Sequence, residues 1–422
     1  MIRFYNGHVL SFPGGEPSVS GDEVWVDGNS IVYMGPEKAD APVFDRQINL
    51  SGNLLMPSLK NAHTHTAMTF LRSRADDKPL SNWLNEDVFP NETKLTDESI
   101  YYLARLGFLE YLTSGVSTCF DMYFHNVSFS KACVDSGFRA VICAAMNNFD
   151  ADITNIEREY LAYNNYDELL SYTLGIHAEY TTCRERIEYM SSLAEKYQAP
   201  CFVHISETRS EHEDCLARTG MTPAQYLDSL GFFRYGGGGF HGVWLTDADI
   251  NLFREKNLSI VTCPCSNLKL ASGIAPVMKF LDAGLNVGIG TDGPASNNAL
   301  DMWREMYLVS VLQKYLTSDA SACRAADVLK MACVNGARAI GLTDCDDIAV
   351  GKKADMIVID MDRPSMQPVN NIISNLVFAG SKDCVKMTMI NGKILYENGE
   401  FLMDEDPAFI YAKAQEFVNA IG

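Results

Sequence analysis

Between about Gly52 and Leu342, short apolar runs alternate with longer stretches in which apolar residues recur every three or four positions. This is the pattern of parallel strands joined by crossover helices. Eight runs begin near Leu54, Ser117, Arg139, Leu170, Cys201, Gly238, Leu258 and Asn286, and eight units predict an α/β fold built on a closed (β/α)8 barrel of the TIM type. A doubly wound sheet would want a Gly-x-Gly-x-x-Gly turn between strand and helix, which the chain lacks; the run Gly236 to Gly239 leads into a strand and reads as a turn. Tyr102, Leu106, Leu109 and Leu112 mark one covering helix, with Thr96 as its cap and Gly115 as its stop. Outside the barrel, short alternating strands are punctuated by Gly, Asp and Asn, as in Val24-Trp25-Val26-Asp27-Gly28-Asn29 and Met389-Ile390-Asn391-Gly392-Lys393-Ile394. These two flanks are expected to pair into a small β-sandwich. The predicted division is residues 1–53 for the first part of the sandwich, 54–345 for the barrel, and 346–422 for the rest of the sandwich plus a terminal helix. That helix carries Ile410, Ala414, Phe417, Val418 and Ile421 on one face, for docking on its own domain or for an oligomer contact.

The length of 422 residues and an apolar content of 47% supply a large core and a smaller one. A net charge of −20 disfavours nucleic acid and other polyphosphates as partners. With no basic segment leading into a long apolar stretch and no apolar run of membrane length, the protein is expected to be cytoplasmic and free of membrane partners. The 12 cysteines include no Cys-x-x-Cys pair and read as reduced, mostly buried thiols. Cys263-Pro264-Cys265 is taken as two small residues in a barrel strand rather than a thiolate metal site.

Chemistry concentrates where the runs end. His63-Thr64-His65 follows Leu54-Leu55-Met56-Pro57-Ser58-Leu59, and alternate residues of a strand point the same way, so both imidazoles face one point. Alone, the pair is equally a packing pattern. His177, His204 with Glu207, His241 and Asp292 stand at later strand ends, the face where barrel enzymes carry their chemistry. His63, His65, His204 and Asp292 offer three nitrogens and one oxygen, a set suited to Zn²⁺ that also accommodates iron or manganese. The fourth run has no Lys to bridge two metals, so one ion per chain is expected. Glu207 is placed for proton transfer to a leaving nitrogen, against a solvated loop glutamate as the bland alternative. His241 either polarises the substrate or is a structural hydrogen-bonder, and His177 either binds substrate or supports a ligand. His8, His125 and His212 are left as surface or structural residues.

One stretch is more specific: Asn61-Ala62-His63-Thr64-His65-Thr66-Ala67-Met68-Thr69-Phe70-Leu71-Arg72, then Ala75-Asp76-Asp77, Pro79-Leu80, Trp83-Leu84 and Phe89-Pro90-x-Glu92. With it go His204-x-x-Glu207-Thr208, Ser266-Asn267-Leu268-Lys269-Leu270-Ala271-Ser272-Gly273, and Gly290-Thr291-Asp292-Gly293 followed by Ser296-Asn297-Asn298. Over nearly its whole length the chain resembles the amidohydrolase superfamily, and within it the S-adenosylhomocysteine and 5′-methylthioadenosine deaminase group. The resemblance implies hydrolytic deamination at the six-position of a purine nucleoside. Trp83 would pack near the base and Glu92 would bind the ribose hydroxyls. Glu207 would deliver a proton to the ring nitrogen, while Asp292 and His241 handle the attacking water. It also implies a homo-oligomer acting on a small molecule.

Three positions depart from that group. An additional Arg expected a few residues beyond Arg139, suited to an amino-acid carboxylate, is replaced by the run Ala140 to Asn148. Glu179 follows Ala178 where a Pro is usual, placing negative charge near the barrel mouth. Cys263-Pro264 replaces an Asn-Pro pair. These departures favour a neutral or cationic ligand over S-adenosylhomocysteine. The other readings are a deaminase of another amino-heterocycle, such as guanine, a pterin, cytosine or a triazine, and a non-catalytic scaffold; the retained ligand set speaks against the scaffold.

Overall fold

The computed structural model describes residues 1–74, 76–78 and 82–421, so Ala75, Pro79 and Leu80 of the motif above lie outside the described residues. Eight parallel strands follow one another in chain order: Leu59–Thr64, Val116–Asp121, Arg139–Cys143, Leu170–Ala178, Cys201–Ile205, Gly237–His241, Ser259–Thr262 and Asn286–Ile289. The first and last strands are joined where the Asp292 amide donates to the His63 carbonyl at 3.0 Å. There, too, the Asn61 side chain bonds Thr291 through both its amide groups, at 2.7 and 2.8 Å. The predicted barrel is therefore present, and its seam runs directly beneath the candidate ligands.

The barrel interior is filled by side chains rather than left as a pore. Phe120, Phe202 and Phe240 form an aromatic layer with ring centroids 4.9 to 5.9 Å apart, within a cluster that includes Ala62, Val141, Cys143 and Val261. The Gly run lets the sixth strand enter this crowded wall. A Cβ on Gly237 would lie 1.9 Å from the Cys201 carbonyl oxygen, and one on Gly238 would lie 2.1 Å from that of Ser259.

The chain ends form a four-stranded sheet and a seven-stranded sheet. Phe4, Val24, Val26 and Ile31 of the first share a core with Val9, Leu55, Met356, Val358, Met387 and Met389 of the second, which is the expected sandwich of both termini. One assignment needs correcting. The run starting at Leu54 is two strands, not one: Leu54–Pro57 pairs with Met356–Ile359 and with His8–Ser11 in the sandwich, and the barrel begins at Leu59. An unbroken apolar run conceals the change because both sheets bury it; Ser58, whose amide donates to the Asp355 carbonyl at 3.2 Å, marks the switch.

The covering helix spans Asp97–Thr113, capped by Thr96 with Ser99 in a reciprocal box and followed by Gly115 at φ 75°. Its buried face is Leu103, Phe108, Leu109, Tyr111 and Leu112. Tyr102 lies off that face, under the terminal helix Pro407–Ile421, with ring centroids 5.9 Å from Phe409 and 6.5 Å from Phe417. The terminal helix thus docks on a barrel helix rather than on the sandwich.

Candidate metal centre and active site

Two of the candidate imidazoles are oriented by a main-chain carbonyl that fixes which nitrogen faces the barrel axis. The His65 Nδ1 lies 2.5 Å from the Met122 carbonyl oxygen, and the His204 Nδ1 lies 2.6 Å from that of His177. A carbonyl only accepts, so both Nδ1 atoms carry a proton and both Nε2 atoms face inward. His63 stacks on Phe240 with centroids 3.8 Å apart, and neither of its buried ring nitrogens has a hydrogen-bond partner. Asp292 directs Oδ1 to within 3.2 Å of His65 Nε2 and 3.6 Å of His63 Nε2. Its Oδ2 accepts from Ser266 and Ser296 at 2.6 and 2.7 Å.

This arrangement fits a divalent cation. Against the cost of burial, a proton held between His65 Nε2 and Asp292 Oδ1 at 3.2 Å raises His65 to about 9; a divalent cation would take the place of that proton, with the neutral imidazoles of His63 and His204 beside it. Ligand atoms of His63, His65 and Asp292 lie within 4.8 Å of one another, as do those of His63, His204 and His241. Burial holds His63 and His204 well below the usual imidazole range, and so neutral. Asp292 is pushed the other way by burial, yet the neighbouring imidazoles, led by His65, keep it well below the carboxylate range.

Backbone strain accompanies the cluster. His241 has φ 71°, Asp292 φ 59° and Ser206 φ 48°, left-handed values uncommon for residues other than glycine. Each comes just after or at the end of a strand, where the chain must turn sharply to aim a side chain across the barrel mouth.

Beside the cluster, a pocket is lined by His65, Trp83, Glu92, Tyr123, His177, Glu207, His241 and Asp292, among others. Glu207 is 7% exposed, 3.8 Å from His241 Nε2, and accepts a 3.4 Å hydrogen bond from Ser272. Burial raises its carboxyl. His241 Nδ1 sits 2.8 Å from the Asn267 side-chain oxygen, which leaves its Nε2 facing the pocket. Glu92 accepts from the Tyr123 hydroxyl at 2.8 Å, and burial raises its carboxyl as well. His177 lines the pocket, and its carbonyl orients His204.

All nine sequence-predicted site residues meet here. Glu179 does not reach the ligand space: it is buried and held by Arg218 through both oxygens, at 2.9 and 2.8 Å. The expectation of negative charge at the mouth is therefore corrected, since the pairing cancels it. Arg139 starts its strand at the opposite end of the barrel, bonded to Asp355 at 2.8 and 3.2 Å. Cys263 and Cys265 lie not in a strand but at the start of the helix Pro264–Lys269, because Pro264 ends the ladder and opens the helix. Sequence reasoning missed Tyr123 and the orienting roles of Asn267, Ser266 and Ser296. For the last three the signal was present in the quoted motifs: Ser296 meets Asp292 within one motif, whereas Ser266 and Asn267 meet Asp292 and His241 from a different barrel segment.

Residues 54–395 match the amidohydrolase family. A 5-methylthioadenosine/S-adenosylhomocysteine deaminase of Pelotomaculum thermopropionicum is 39% identical over 98% of this chain and 97% of its own. A 5′-deoxyadenosine deaminase of Methanocaldococcus jannaschii is 36% identical over 94% and 96%. The crystal structure of an adenosine deaminase from Xanthomonas campestris with bound zinc superposes with a TM-score of 0.94 at 33% identity, over 100% of this chain and 98% of that one.

Proposed function

The chain belongs to the amidohydrolase family, and from that premise we propose that it deaminates an adenine-type nucleoside, 5′-methylthioadenosine, 5′-deoxyadenosine or adenosine, to the inosine analogue and ammonia. The observation that carries the reading is the pairing of the His63, His65, His204 and Asp292 donor set with Glu207 and, across the same pocket, Glu92. A scaffold needs none of these, and a bare base would leave Glu92 without a partner in the ligand.

The four donors would hold one divalent ion, and we take it to be Zn²⁺ from the nitrogen-rich set. When bound, such an ion would lower the pKa of water to about 7 and so supply a nucleophile at neutral pH. The remaining work falls to the chain's own side chains. Hydrolysis forms a C–O bond at carbon six and breaks the C–N bond to the amine, which requires protons at the ring nitrogen and at the leaving nitrogen. Glu207, with its raised carboxyl, is suited to hold a proton for the ring nitrogen. His241, with Nδ1 tied to Asn267, presents Nε2 to accept a hydrogen bond from the incoming water. Trp83 offers a flat apolar face to the base, and Glu92 two oxygens to a vicinal diol.

The same pocket is also lined by Leu84, Val88, Phe89, Phe124, Ala145, Asn147, Phe149 and Tyr180. These residues are mostly apolar and aromatic; Asn147 is bonded through its main chain to the Arg186 guanidinium at 2.6 Å and the Asp150 carboxylate at 2.7 Å. Such a wall favours a 5′-methyl or 5′-methylthio group over the amino-acid tail of S-adenosylhomocysteine, because among the described residues that line the pocket none is a Lys or Arg to pair with its carboxylate. The test is ammonia release from the Zn²⁺-loaded protein with these four nucleosides and guanine. The expected order places S-adenosylhomocysteine at least tenfold below 5′-methylthioadenosine in kcat/KM. Turnover of guanine alone would move the substrate class, and parity of the two nucleosides would remove the 5′ preference.

A further inference from the structure

We propose that Glu211, a buried carboxylate outside the reacting set, is a positioning residue that aims Glu207 into the pocket. The proposal rests on the proton-carrying role given to Glu207 above. After the strand Cys201–Ile205 the chain turns through Ser206 in a left-handed conformation. That turn points two successive amides, those of Ser206 and Glu207, in one direction, and both meet Glu211: Oε1 accepts from Ser206 at 2.7 Å and Oε2 from Glu207 at 2.8 Å. The Ser206 carbonyl is held from the other side by the Trp244 amide at 2.8 Å. Glu207 is thereby pinned at its backbone.

The pinning matters because little else fixes the Glu207 side chain. Its hydrogen bond from Ser272 is 3.4 Å long and His241 stands 3.8 Å away, so where its carboxylate lies follows from where its main chain is held. Helix capping accounts for only part of this clamp: Glu211 meets the Thr208 amide as the return half of a capping box, while its bonds to Ser206 and Glu207 lie outside the helix. The helix Arg209–Thr219 has its own cap in Thr208, whose hydroxyl accepts from the Glu211 amide at 3.2 Å. The Glu211 side chain also reaches back past that cap, with both oxygens used, while being 5% exposed. Burying a carboxylate opposes folding unless its hydrogen bonds are well made, and a glutamine of the same shape would offer only one acceptor to the two amides.

Glu211→Gln in the metal-loaded protein should lower kcat for the nucleoside at least tenfold, with KM within about threefold and metal content unchanged. In a Glu207→Gln background the same change should cost nothing further. Thr246→Ala, which removes the cap of the helix Asp247–Glu255, serves as the control for lost stability and should keep kcat. An unchanged kcat in Glu211→Gln, or losses that multiply in the double variant, would overturn the proposal. Full turnover by Glu207→Gln alone would overturn the role of Glu207, and this inference with it. Should Glu211→Gln not fold, Glu211→Asp, too short to span both amides, must show the same loss in kcat without a rise in KM.

Discussion

Replacing Glu92 by Ala tests the assignment of a nucleoside over a base. The carboxylate lies in the pocket wall, partly buried, with the Tyr123 hydroxyl at 2.8 Å on one oxygen. A hydrogen bond to a charged group contributes about 1.5–3 kcal/mol net. Water that enters the truncated site recovers part of the loss from two such bonds, which leaves about 3 kcal/mol, or roughly a hundredfold in kcat/KM for adenosine. Glu92→Gln keeps an acceptor for Tyr123 and one for the ribose, and should lose only about tenfold. The assay is steady-state ammonia release with adenosine and with 2′,3′-dideoxyadenosine, which lacks the diol. In the unaltered protein the dideoxy compound should be about a hundredfold poorer, and in Glu92→Ala the two should converge. If Glu92→Ala lowered both by the same factor, Glu92 would be acting on the pocket as a whole and the ribose contact would be refuted.

Three further outcomes are expected. Glu207→Gln should retain metal by elemental analysis yet lose turnover by at least 10²–10⁴-fold, the range for general acid-base groups; unaltered turnover would take Glu207 out of the chemistry. Chelation should abolish activity and lower the unfolding midpoint, because the convergent donors of His63, His65, His204 and Asp292 lose their common partner; one Zn²⁺ per chain should restore both, and a midpoint indifferent to metal would contradict the donor geometry. Glu305, buried and bonded to the Cys265 amide and to Asn297, is pushed by burial from 4.5 to about 7. Between those values the folded protein keeps a proton that the unfolded chain has released, so the stability from the protonated form is complete below pH 4.5 and is lost as pH rises toward 7, up to about 3 kcal/mol. Denaturant titrations across that window should show the decline, and a Glu305→Gln variant with an undiminished pH slope would refute it.

Much of this molecule was legible in the order of its residues. Alternation of apolar runs with helical periodicity specified the barrel, since only strand ends separated by crossover helices bury such a pattern. A two-residue period put His63 and His65 on one side of a strand. Their places at strand ends drew Glu207 and Asp292 to the same barrel face, whereas Trp83 and Glu92 were pointed to by the resemblance of their motif to the deaminase group and not by spacing. Other features depend on neighbours hundreds of residues away. The run at Leu54 divides between two sheets because the partner Met356–Ile359 lies near the far end of the chain. The charge of Glu179 vanishes into Arg218, and Arg139 faces away from the pocket because it begins its strand rather than ending it. The proton positions on His65 and His204 were set by the carbonyls of Met122 and His177, groups every residue carries and no sequence pattern marks. Periodicity reports which face of an element is buried, so sequence alone determined the barrel and the set of donors. Only the packed structure decided what each donor meets, because a side chain's partner is a property of the space between elements.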